Sequence, residues 1–264
     1  MLGFLHIDYR KILSKNYFTS ILLLVKISLK QQYKGSFLGM AWSLIQPAMF
    51  ILIMSAVFST IMRFPVKDFT LFLASGTLAW NFIVNSLTIS ANSIVTREHI
   101  FKRIALPKTM FIFADVLVQI WIFFVAVFVL EIISLILTKN IHLTSLLLPI
   151  AALPLIISVG AASIALAYIA VYLRDVSYLL TVLLNALYWT VPIVYPMSVV
   201  PEDKRVFFEY NPFYILIKPI REVLYYGNIP SVEMMIFGFG IASIVIVVSL
   251  VIYKVLRKNV IYYL

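Results

Sequence analysis

The chain has 264 residues, 63% of them hydrophobic and 12% charged, with a mean hydropathy of +1.04. An ordinary soluble domain carries about 25% charged residues, so this composition excludes one. The absence of cysteine excludes disulfides, thiolate metal centres and cysteine nucleophiles, and the formal charge of +10 reads as basic flanks of membrane segments rather than a nucleic-acid surface.

The first 34 residues are basic and only locally apolar. In 21–34, Leu22, Val25, Leu29 and Tyr33 fall on one helical face beside a stripe of Lys26, Lys30 and Lys34, the pattern of an amphipathic helix lying at the membrane interface. The apolar run within it, residues 21–25, is too short and too closely followed by lysines to read as a cleaved signal peptide. Four stretches then carry no charged side chain at all: 35–62, 69–96, 140–173 and 176–201. Two more hold isolated acids, 109–138 with Asp115 and Glu131 and 231–253 with Glu233. A helix needs about 20 residues to cross about 30 Å of hydrocarbon, and all six stretches exceed that. The expectation is an all-α membrane protein with six transmembrane helices, at about 36–62, 69–96, 109–138, 144–173, 177–200 and 231–254, and a tail at 255–264.

Twice as many Lys and Arg residues lie on the side of the termini and the 97–108 loop as on the other, which places both termini in the cytoplasm. Two loops between the spans are informative. The first, 96–108, sets Ile100, Phe101 and Ile104 on one face of a short helix ended by Pro107, with Arg97, Glu98, Lys102 and Arg103 around it; an aromatic side chain in a charged loop points to a partner's groove. The second, 201–227, follows the breakers Pro192, Pro196 and Pro201. It is too polar to cross and too aromatic for a free loop, which fits short amphipathic helices separated at Asn211-Pro212.

No glycine precedes a lysine, so a phosphate-binding loop of the G-x-x-x-x-G-K type is impossible. His6, His99 and His142 are scattered, and Asp115 and Glu131 lie about 24 Å apart on one straight helix. No catalytic set and no metal-binding set emerges, which disfavours a membrane-embedded hydrolase or transferase. Any energy source lies outside this chain.

Four segments stand in order along the chain: 32–47, from Gln32 through Trp42 to Gln46-Pro47; 101–107, from Phe101 to Pro107; Tyr172-Leu173-Arg174-Asp175-Val176; and Asn211-Pro212-Phe213 followed by Arg221. Together they resemble the membrane subunit of bacterial ABC transporters that export polysaccharide, such as lipid-linked O-antigen or teichoic acid. The resemblance implies a homodimer with a pore between subunits in the bacterial inner membrane. It also implies two copies of a separate cytoplasmic ATPase that bind ATP and Mg, and no cofactor in this chain. On it, 21–34 is an interface helix, with Lys26, Lys30, Tyr33 and Lys34, and 97–108 holds the coupling helix, with Arg97, Glu98, Ile100, Phe101, Lys102, Arg103 and Ile104. Residues 201–227 become re-entrant gate helices, with Pro201, Phe207, Tyr210, Asn211, Pro212, Phe213, Tyr214 and Arg221.

A polymer exported on an undecaprenyl lipid must slide, so its path needs surfaces that hold each register weakly and alike. Aromatic rings with scattered hydroxyls and amides meet that need better than charges. Trp42, Phe50 and Phe58 share one face of the first span, and the fifth offers Tyr178, Tyr188, Trp189 and Tyr195. The alternatives are a related ABC exporter of drugs or small lipids and an accessory subunit with no pore.

Overall fold

Inside hydrocarbon a backbone has only itself to hydrogen-bond with, and this chain answers with helices. The computed structural model describes residues 17–32, 35–62, 66–102, 107–138, 143–260 and 262–263, and contains no strand among them. The expected site residues Tyr33, Lys34, Arg103 and Ile104 lie outside the described residues. Helix α1 covers Tyr17–Gln32, and a 3-10 turn at Gly39–Ala41 leads into α2 (Trp42–Met62). Helix α3 (Val66–Ser93) is followed by a 3-10 turn, Val95–Arg97, and the short α4 (Glu98–Phe101). The long α5 (Lys108–Thr138) precedes a broken run, a 3-10 turn at Leu143–Leu147 then α6 (Leu148–Ala151) and α7 (Leu153–Tyr172), with Pro149 and Pro154 in the first turns of the last two. Helices α8 (Val176–Thr190), α9 (Glu202–Glu209), α10 (Pro212–Arg221) and α11 (Val232–Leu256) complete the chain.

Among the described residues, five helical stretches are long and apolar enough to span a membrane: Gly39–Phe58, Asp68–Ser93, Lys108–Leu135, Leu143–Tyr172 and Val232–Leu256. The molecule is thus an all-helical, multi-pass membrane protein. The stretch expected to cross at 177–200 differs, because its α-helix, α8, covers only 15 residues, and only a 3-10 turn at Met197–Val199 follows. The residues of α8 rise about 22 Å, short of the hydrocarbon thickness. The cause is local: Pro192 forces the residue before it out of the helical region, and Val191 sits at φ −100°, ψ 133°.

Beyond the break, each short helix has its own start and stop signal. Asn211 caps α10 by accepting from the Phe213 N–H at 3.0 Å, and Pro212 occupies the first turn, where its missing N–H costs nothing. After α10 the backbone widens into a π turn, Glu222–Tyr226, ended by Gly227 at φ 67°, a left-handed conformation that glycine adopts without strain. Ser231 then caps α11 by accepting from the Met234 N–H.

Helix α3 is the centre of the bundle and packs against α2, α5, α7, α8 and α10, while α7 lies along α11. Helix α1 lies against α5 with Ser20, Leu24 and Ser28 turned inward, one turn apart. The apolar face expected from the sequence starts instead at Leu22, which is exposed. The inward face is chosen by a polar contact described below, which outweighs the greasier alternative.

Candidate functional site: an aromatic and amide-lined cleft between two arginine clamps

A cleft of about 860 Å³ opens between α2, α3, α5 and α8. One kind of lining is aromatic. The Tyr188 ring lies 6.1 Å from Phe50, 5.8 Å from Trp80 and 5.4 Å from Trp189, and Trp80 in turn meets Phe213 of α10 edge-on at 5.5 Å. The second kind is neutral and polar: Gln46, Asn81, Asn85, Gln119 and Asn185 all border the cleft. Asn81 and Asn85 stand one turn apart on α3, so both amides face the same opening. Gln119 is buried, and its amide nitrogen has no hydrogen-bond partner among the described residues. Among the described residues no charged side chain borders the cleft. Such a surface offers ring faces and amide dipoles to a neutral hydroxyl-rich chain, and no fixed charge that would trap one register.

At one end of α3, the Arg97 guanidinium grips buried Asp115 through two parallel bonds of 2.8 Å each. Ser93 Oγ donates to the same carboxylate at 2.6 Å and Ser28 Oγ at 3.1 Å, while Arg97 also reaches the Ser93 carbonyl at 3.1 Å. Four hydrogen bonds on one carboxylate satisfy the demand that a buried charge makes. The clamp joins α1, α3, the turn before α4, and α5 in one knot. Above it Phe101 packs edge-on against Phe111 at 5.2 Å.

At the opposite end of α3 stands Arg221, with 4% of its surface exposed. Its Nη1 donates to the Pro192 carbonyl at 2.6 Å and its Nη2 to the Ile193 carbonyl at 3.2 Å. These carbonyls lie at the helix break, so Arg221 supplies donors where the backbone ladder has lapsed. The guanidinium lies 4.1 Å over the Phe72 ring and close against the backbone of Gly76, where a Cβ would collide with Nη2.

The ABC-2 type transporter family matches residues 19–225, most of the chain. The chain belongs to that family. It is 24% identical over 241 residues to the O-antigen export system permease protein RfbA of Klebsiella pneumoniae, covering 91% of this chain and 93% of that one. A protein of the same name from Myxococcus xanthus is 23% identical over 215 residues, covering 81% and 83%. Family membership makes this protein a membrane subunit of a transporter.

Within that frame the expected path residues divide. Trp42, Phe50, Tyr188 and Trp189 border the cleft, whereas Phe58, Tyr178 and Tyr195 do not. Tyr178 is exposed on α8, and the Tyr195 hydroxyl donates to the Trp189 carbonyl at 3.0 Å. Trp80 and the amides were not singled out from the sequence. The available signal was the pair Asn81 and Asn85, costly to place in a charge-free span unless they face something polar.

The loop residues also divide. Ile100 and Phe101 are buried within this chain rather than presented outward, and Arg97 points into the clamp. His99 and Lys102 are exposed, with Glu98 beside them. A hydrogen bond from Lys102 holds the Glu98 carboxyl below its usual range. Lys26 and Lys30 are exposed on α1. Among the outer residues, Phe207 and Tyr210 are exposed, as are Pro201 and Pro212, while Tyr214 and Arg221 are buried and Phe213 and Asn211 are half-buried.

Proposed function

We propose that this protein is the pore-forming permease of an ATP-driven exporter that moves a lipid-linked polysaccharide, of the O-antigen or teichoic acid type, across the bacterial cytoplasmic membrane. The observation that carries the reading is the cleft lined, among the described residues, by rings and neutral polar side chains with no charge among them. The names of the relatives support the same substrate class. On this reading α8 and the extended chain after it make a sixth crossing. Helices α9 and α10 are re-entrant gate pieces on the outer face, and α1 lies at the cytoplasmic interface. Two copies form a homodimer with the clefts facing a shared path. Each copy docks a cytoplasmic ATPase, which binds ATP and Mg and hydrolyses the ATP. The docking face falls on the exposed side of α4, at His99 and Lys102, with Arg103 and Ile104 following. The undecaprenyl tail of the cargo stays in the bilayer while the sugar chain passes the cleft.

The cysteine-free chain makes the test direct. Asn85→Cys places a thiol on an exposed wall of the cleft. Modification with a bulky thiol reagent is expected to reduce polymer export at least by half, with a small methylating reagent leaving it near the unmodified rate. ATPase binding should survive both. Export at the unmodified rate with the bulky adduct in place would remove the cleft from the path. A drug or small-lipid exporter predicts instead that transport of such compounds, and not of polymer, responds to the adduct.

Orientation has its own check. Cysteines placed at Ser14 and Lys258 are expected to react only from the cytoplasm and one at Asp203 only from outside. Reaction of the Asp203 position from the cytoplasm would mean an even number of crossings before it or an inverted protein.

A further inference from the structure

A second cavity, of about 360 Å³, lies beside Arg221 and apart from the cleft. Its walls include Lys218, Arg221, Tyr214, Tyr226, Asn228 and Glu222. The electrostatics of this place are unbalanced. Arg221 is buried, yet among the described residues no carboxylate comes within 4.0 Å of its nitrogens. Two of its nitrogens are occupied by the Pro192 and Ile193 carbonyls, and Nε has no partner. Lys218, half-buried one turn earlier on α10, has no carboxylate within that distance either, and its ammonium lies 5.9 Å over the Tyr214 ring. The acid on the wall, Glu222, accepts from Asn228 Nδ2 at 3.3 Å instead.

Buried charges in proteins are paired, because an isolated one costs several kcal/mol of lost hydration. Ring faces and carbonyl dipoles offset part of that cost for Arg221 without supplying a counter-charge. We propose that the cavity binds a phosphate group, with Arg221 and Lys218 as its cationic partners and the Asn228 amide and tyrosine hydroxyls as further donors. A guanidinium beside an ammonium is a chemical match for tetrahedral phosphate oxygens, since both donate charge-assisted hydrogen bonds. The phosphate is that of a bilayer lipid headgroup or of phosphate-bearing cargo, and the two share the same recognition chemistry. The site stands independently of the transport reading, because binding is measured without ATP or polymer.

The probe is inorganic pyrophosphate, titrated calorimetrically into the purified full chain in a maltoside detergent, which carries no phosphate. Binding is expected. Lys218→Gln should weaken it about tenfold through loss of one charge-assisted bond, and Glu222→Gln should strengthen it by removing a like charge from the wall. Opposite signs from two neighbouring substitutions are not what a merely structural role produces. Repeating the titration with phosphatidylglycerol added to the micelles identifies the source. Weakened pyrophosphate binding means that the headgroup occupies the site, and unchanged binding assigns it to cargo phosphate. No binding to the unaltered protein, or equal affinity in all three proteins, would overturn the proposal. So would a Glu222→Gln variant that unfolds more easily in phosphate-free buffer and gains no affinity, since Glu222 would then be the counter-ion itself.

Discussion

Asp115→Ala is expected to lower the stability of the folded chain by about 3–5 kcal/mol, measured by unfolding in mixed detergent micelles. The size follows from what is left behind. Arg97 would remain largely buried, with its fork aimed at a missing carboxylate, and the Ser28 and Ser93 hydroxyls would each lose an acceptor. The double variant Arg97→Met, Asp115→Leu should recover most of the loss, because a buried ion pair replaced by apolar groups of similar size is often close to neutral. Helix α1 reports the same event locally. Its polar tie to α5 is Ser28 on Asp115, so trypsin should cleave after the exposed Lys26 and Lys30 faster in Asp115→Ala than in the unaltered protein. A single variant within about 1 kcal/mol of the parent would show that the clamp does not carry this end of the bundle. Under the proposed function the knot has a further meaning. It makes α1, α4 and the start of α5 one body, so a partner pushing on the exposed face of α4 would move all three together.

Gly76→Ala is expected to destabilise the other end by about 2–3 kcal/mol. The added Cβ would meet Arg221 Nη2 and press on Ile193 Cγ2 at 3.1 Å. A flexible side chain normally retreats from such a clash, but this guanidinium is fixed by two carbonyls and the Phe72 ring. Its retreat would strip donors from the Pro192 and Ile193 carbonyls, which are buried. The consequence should be confined to the join between α8 and α10. Cysteine crosslinking from residue 196 to residue 218 should become less efficient in Gly76→Ala, while the Arg97–Asp115 end keeps its resistance to trypsin. Parental stability together with parental crosslinking would mean that the arginine finds another seat at no cost.

Much of this molecule follows from neighbours in the chain. Charge-free runs longer than a bilayer is thick make it a membrane protein whatever its packing. Pro192 ends α8, Asn211-Pro212 starts α10 and Gly227 ends the π turn, each through a backbone restriction that acts within one or two residues. The ordered motifs around Trp42, Phe101, Arg174 and Asn211 were enough to point to the transporter family that the chain matches over 19–225. Facing is another matter. Phe101 reads as an anchor for a partner and is turned inward against Phe111; Leu22 reads as the packing face of α1 and is exposed. The Arg97 charge reads as part of a docking loop and closes on Asp115. Each of these was decided by a partner distant in the chain, as Ser28 is from Asp115 and Arg221 from Pro192. Helical periodicity fixes which residues share a face, and in a chain this hydrophobic nearly every face is greasy enough to be buried. Only the assembled bundle, by placing scarce polar groups against one another, decides which face goes in and where side-chain amides and a row of rings leave a cleft.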